Sequence, residues 1–115
     1  MKRFWLCAVG ILTLCNLSHS DVCRSLCSCS SFNYAPLVDC GERGVNSSLL
    51  LNISFPTNTA YLSLYNNEIT QLPENIFSGL GNLIELILLS NKITQLPEKV
   101  FSGLGNLRWL VMDVR

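Results

Sequence analysis

The sequence predicts a repeat solenoid, built of short strands and irregular return legs that recur at a fixed period and preceded by a disulfide-bonded segment. Three observations carry this prediction. The phrase "ITQLPENIFSGLGN" (69–82) returns 24 residues later as "ITQLPEKVFSGLGN" (93–106). Each copy follows a Leu-x-Leu pair, Leu62/Leu64 and then Leu86/Leu88, and that period-two spacing is what a short strand with one buried face requires. Four cysteines, Cys23, Cys27, Cys29 and Cys40, stand together upstream, and none follows them. Self-similarity at a fixed period of this length marks a repeat architecture and takes precedence over local propensity.

In chain order the first element is an address. Lys2 and Arg3 precede an apolar run from Phe4 to Leu17, and Ser18-His19-Ser20 places small residues before a cut at Asp21, so residues 1–20 read as a signal peptide. A membrane anchor is the alternative, but the run is shorter than the ~20 residues needed to span a bilayer. No second apolar stretch follows, and the expected location of the product is secreted or extracellular, or else it is the ectodomain of a longer membrane-attached protein. Removing Lys2 and Arg3 leaves six basic against eight acidic residues, a net charge of −2. That balance offers no basic stripe for nucleic acid and no polybasic patch for a membrane surface. The 95 residues that remain suit one domain.

Removing the signal also takes away Cys7 and Cys15. The remaining C-x3-C-x-C-x10-C cluster, at the start of a secreted chain, reads as a disulfide framework rather than a zinc site. Pairing Cys27 with Cys29 closes a strained one-residue gap. That leaves Cys23–Cys29 with Cys27–Cys40, or Cys23–Cys27 with Cys29–Cys40. Downstream, "GERGVNSSLLLNIS" (41–54) has no clear place; its Leu49-Leu50-Leu51 run suits a cap strand or a turn. Asn46-Ser47-Ser48 and Asn52-Ile53-Ser54 are N-glycosylation sequons, with Asn46 in the more polar setting.

The two units, 59–82 and 83–106, agree at 15 of 24 positions. After the strand leucines come Asn67 and Asn91, three residues on, marking a turn. The return legs place Ile69, Leu72, Phe77 and Leu80, then Ile93, Leu96, Phe101 and Leu104, at spacings that fit neither a clean helix nor a clean strand. Pro73 and Pro97 forbid a regular helix there, and the glycines that follow loosen the chain further. In a third unit, 107–115, Leu107, Leu110 and Met112 fall where strand leucines belong, while Arg115 stands at the position of Asn67 and Asn91.

The pattern LxxLxLxxNxIxxLPxxxFxxLxx, written here as "LIELILLSNKITQLPEKVFSGLGN", resembles the extracellular 24-residue type of leucine-rich repeat, and "CRSLCSCSSFNYAPLVDC" resembles the N-terminal cysteine cap of secreted members. From Cys23 to Arg115 the arrangement is most similar to the variable lymphocyte receptors of jawless vertebrates, with motifs shared by Slit, Toll-type receptors and matrix proteoglycans. The resemblance implies a short parallel sheet on a concave face, an irregular or 3-10 convex side, and a disulfide-capped β-hairpin over residues 21–58 with the pairing Cys23–Cys29 and Cys27–Cys40. It implies that Asn67 and Asn91 form a ladder whose amides satisfy backbone groups of the turns, and that the phenylalanines stack as a spine. Such proteins carry a second cysteine cap; its absence after Cys40 predicts a fragment of a longer protein, and an uncapped C-terminal end open to self-association or to docking on another chain.

Function is expected on the positions the fold does not need. Between and beside inward leucines, alternate residues face outward. They form four rows: Tyr61, Glu85 and Trp109; Ser63, Ile87 and Val111; Tyr65, Leu89 and Asp113; Asn66, Ser90 and Val114. Aromatic and aliphatic groups gathered on an outward face mark a contact surface. The expected activity is therefore non-catalytic recognition of a protein or glycan, antigen recognition if the receptor resemblance holds. No catalytic set is present: the only histidine, His19, lies in the signal, and no GxSxG, HExxH or phosphate-binding glycine loop occurs. Neither cofactor nor metal is expected.

Overall fold

The computed structural model describes residues 22–113. Residues 1–21, on which the expected signal peptide falls, and Val114 and Arg115 lie outside the described residues. In chain order the elements are α1 (Val22–Ser25), β1 (Ser28–Phe32), β2 (Ala35–Asp39), α2 (Ser47–Leu50), β3 (Tyr61–Ser63), β4 (Glu85–Ile87) and β5 (Trp109–Val111). They build one sheet in the order β1-β2-β3-β4-β5. The first pair is antiparallel and the remaining pairs are parallel. Register is uniform, with Leu62 opposite Leu86 and Leu86 opposite Leu110.

The cap is tied down by Cys23–Cys29 and Cys27–Cys40. β2 is its contribution to the solenoid, because it lies parallel to β3 with Val38 opposite Leu62. Counting back 24 residues from the first repeat, Val38, Cys40 and Val45 take the places of Leu62, Leu64 and Ile69, and all six are buried. The cap therefore donates a first strand and turn in the geometry of a repeat. The unplaced "GERGVNSSLLLNIS" is its return leg: Leu49-Leu50-Leu51 ends the helical turn α2, capped by Asn46, whose side chain accepts from the Leu49 amide at 2.9 Å. Ser47 Oγ then accepts from the backbone amides of Thr70 and Gln71, at 3.1 and 2.9 Å, stitching this leg to the first repeat.

The convex leg of each repeat is a string of separate turns. Amides of Ile76, Ser78, Leu80 and Leu83 donate to carbonyls three residues earlier, and Val100, Ser102, Leu104 and Leu107 repeat the pattern. A continuous helix does not form, since Pro73 and Pro97 interrupt the donor series and Gly79 takes a positive φ of 85°. Between leg and sheet lies the core, in which Phe77 stacks on Phe101 at 6.1 Å and 13°.

Burial falls off toward β5, which corrects two expectations. Leu72 is 4 % exposed but its counterpart Leu96 is 41 %, and Leu110 is 40 % where Leu62 and Leu86 are sealed. Each repeat buries the preceding one, and among the described residues no further unit covers the last.

Candidate recognition surface

Two asparagines set the shape of the strand ends. Asn67 Oδ1 accepts from the amides of Arg43 and Val45 at 3.0 and 2.9 Å, and its Nδ2 donates to the carbonyls of Cys40, Leu64 and Tyr65 at 2.9, 3.0 and 3.3 Å. Asn91 Nδ2 donates to Leu64, Leu88 and Leu89, and its Oδ1 accepts from Ile69. Each side chain is buried and satisfies groups of its own turn and of the preceding one, so the turns stack at a fixed spacing. Asn66 and Ser90, just before them, adopt left-handed φ values of 56° and 63°, and Glu42 does the same one unit earlier at 59°. All three turn the chain just beyond a strand, and Val114, the last member of the row that Asn66 and Ser90 begin, lies outside the described residues. Asn66 Nδ2 reaches Glu42 Oε2 at 3.5 Å.

The strands fix the rest. Tyr61, Glu85 and Trp109 are opposite one another, as are Ser63, Ile87 and Val111. Ser63, Tyr65, Ile87, Leu89 and Val111 come together around a shallow hollow of about 450 Å³, completed by Asp39, Gly41 and Glu42 from the cap. Tyr61, Glu85 and Trp109 run alongside it and do not line it. Tyr65 is 40 % and Trp109 54 % exposed, while Ile87, Leu89, Ser90, Glu85 and Asp113 are half-buried.

Several contributors from the cap were missed by the sequence reading. Leu37 pairs with Tyr61 and Asp39 with Ser63, so β2 extends both rows. Gly41 holds the floor of the hollow: a Cβ there would meet Asp39 Oδ1 at 3.2 Å and the Tyr65 carbonyl at 3.3 Å, and its amide donates to Asp39 Oδ1 at 2.9 Å. Phe32, on β1, meets Tyr61 edge-on with ring centroids 5.4 Å apart. The signal for the first three was the 24-residue offset itself, which subtracted from Tyr61, Ser63 and Tyr65 lands on Leu37, Asp39 and Gly41. The charged residues on the outward positions of this face, Asp39, Glu42, Glu85 and Asp113, are acidic, and Arg43 borders the hollow with its Nε donating to the Gly41 carbonyl at 3.3 Å.

Both sequon asparagines are exposed and lie off this face. Asn46 uses Oδ1 to cap α2, an interaction that leaves Nδ2, the atom a glycan would occupy, uninvolved. Asn52 follows the same turn, its amide donating to Leu49. Among the described residues no helix is long and apolar enough to cross a membrane.

Comparison with known proteins agrees with this geometry. Residues 57–113 match the family model described as leucine rich repeat. SLIT and NTRK-like protein 6 is 35 % identical to this chain over 64 residues in Mus musculus and 38 % over 71 residues in Homo sapiens, covering 56 % and 61 % of the chain. In each case the match spans 8 % of the relative's length. With a matching repeat segment, a parallel sheet in uniform register and a disulfide cap, the chain belongs to the leucine-rich repeat proteins.

Proposed function

We propose that the chain is a non-catalytic, extracellular recognition module that binds a protein through the hollow and rows of its strand face. The observation that carries this reading is the division of labour within each repeat. The two units are identical at the buried leucines and the ladder asparagine, yet read Tyr61, Ser63, Tyr65 and Asn66 against Glu85, Ile87, Leu89 and Ser90 where side chains face outward. Packing constrains the first set; the second is left available for a partner. Exposed Tyr65 and Trp109 supply the rigid aromatic anchors that dominate interface energetics. The repeat family and the similarity to SLIT and NTRK-like protein 6 support a protein-binding role, and the disulfide cap supports an oxidising location reached through the proposed signal at 1–20. Under this reading residues 21–58 act as the cap, 59–82 and 83–106 as the repeats and 107–115 as the start of the next; Asn46 and Asn52 carry glycans away from the binding face. A glycan ligand is the variant reading for the same hollow.

The test is a comparison of faces. The chain, displayed as a tetramer to raise avidity, is offered to an array of secreted and cell-surface proteins. Tyr65→Ala with Ile87→Ala abolishes the signals that appear, whereas Gln71→Ala with Gln95→Ala, which border a groove by Pro97 away from the strands, leaves them intact. Equal loss from both pairs contradicts the reading. A second reading, assembly, is favoured by the exposure of Leu96, Leu110 and Val111 on the β5 side. It predicts a concentration-dependent oligomer in sedimentation that Leu110→Asp dissolves, with array binding unchanged.

A further inference from the structure

The hairpin joining β1 to β2 turns through Asn33 and Tyr34, at φ values of 52° and 65°. Two central residues at positive φ make a type I′ turn, whose second position favours glycine. Asparagine tolerates this conformation, but tyrosine at the second position is held against steric resistance. Nothing in the fold compensates: Tyr34 is fully exposed, at 103 %. Strain held at a residue that contributes no packing points to a role outside the fold. Its neighbourhood agrees. Phe32, across the turn, is 53 % exposed and rests edge-on against Tyr61, so one aromatic surface runs from the hairpin onto the strand face. Glu85 stands directly opposite Tyr61, and Asp39 lies two positions beyond Leu37, the residue opposite Tyr61 on β2. No lysine or arginine occupies an outward position of β2, β3, β4 or β5. Two cations flank the face: Arg43, whose Nε donates to the Gly41 carbonyl at 3.3 Å and whose Nη1 donates to the Leu26 carbonyl at 3.2 Å, and Arg108, which with Tyr34, Asn82 and Asn106 lines a groove at the foot of β5.

We infer that the cap hairpin is part of the binding surface and that its occupant is a basic segment of a partner protein. Tyr34, Phe32 and Tyr61 seat that segment by their ring faces, and its lysine or arginine side chains reach Asp39 and Glu85. Cations over aromatic rings and opposite-charge pairing across an interface both favour such a segment and disfavour an acidic one. The inference rests on the strand-face reading and adds the cap and the sign of the charge to it.

Panning the intact chain with random 12-residue peptides displayed on phage tests it. The expected result is enrichment of peptides with net positive charge whose affinity weakens with salt and falls at least about tenfold in Tyr34→Gly, Asp39→Asn and Glu85→Gln. Tyr34→Gly is expected to raise the melting temperature at the same time, which separates lost contact from lost fold. Peptides that lose binding to Ile87→Ser but ignore Tyr34→Gly and the charge substitutions overturn the inference and leave the strand-face reading standing. Peptides indifferent to Ile87→Ser as well, or no enrichment, overturn both. A dimer in sedimentation that Tyr34→Gly converts to monomer also overturns it, by making a second copy the occupant.

Discussion

Asn67 shows how much one side chain does at the residue scale. Replacing it with alanine strands two amides and up to three carbonyls in a buried turn, and since each unsatisfied buried group costs about 1–3 kcal/mol, a loss of about 3 kcal/mol or more is expected in urea unfolding. Glu68→Ala, by contrast, breaks only the Lys92 pair at 2.9 Å, whose side chains are 64 % and 60 % exposed, and is expected to cost under about 1 kcal/mol. The asparagines were legible in the sequence because their position recurs. Tyr34 was not: Asn33-Tyr34 lacks the Asn-Gly or Asp-Gly dipeptide that announces a type I′ turn, so neither the hairpin tip nor the placement of Phe32 against Tyr61 had a sequence signature.

Among the elements, the cap and the spine differ in what holds them. Cys27–Cys40 closes a span of 13 residues and buries Cys40 completely, whereas Cys23–Cys29 spans 6 and leaves Cys29 exposed. Loop-closure entropy gives the first about 3 kcal/mol and the second slightly less. Burial widens the gap, so Cys27→Ala with Cys40→Ala is expected to lower the unfolding midpoint more than Cys23→Ala with Cys29→Ala. Along the spine, Phe77→Ala removes a sealed side chain and is expected to cost about 3–5 kcal/mol; Phe101→Ala, half-buried, about half that. The repeats could be read from sequence because two copies expose the rule by agreement. β2 obeys the same rule but hides it, with Cys40 where a leucine belongs and Arg43 where the asparagine belongs. Arg43 needs no ladder amide, since its own backbone is what Asn67 serves. At the other extreme, Leu96 and Leu110 follow the leucine pattern yet stay exposed, because burial in a solenoid comes from the next unit rather than from a residue's own.

For the whole molecule, β1 and β2 change the scale of the binding face. Five strands about 4.8 Å apart make a sheet about 20 Å across, wider than the three strands the repeats alone provide. This face still holds fewer residues than the ~20–30 per side of a standard interface. Monovalent binding is therefore expected to be weak and to depend on avidity. The central claim is that inward residues build this molecule and outward residues read a partner. Its most direct test is to give the first unit the outward residues of the second, through Tyr61→Glu, Ser63→Ile, Tyr65→Leu and Asn66→Ser together, and to measure the unfolding midpoint alongside the affinity for the selected peptides. Ser90 already holds the left-handed turn that Asn66→Ser requires, so the midpoint should stay within a few degrees while affinity falls at least about tenfold. A midpoint that collapses, or an affinity that does not change, would contradict the account.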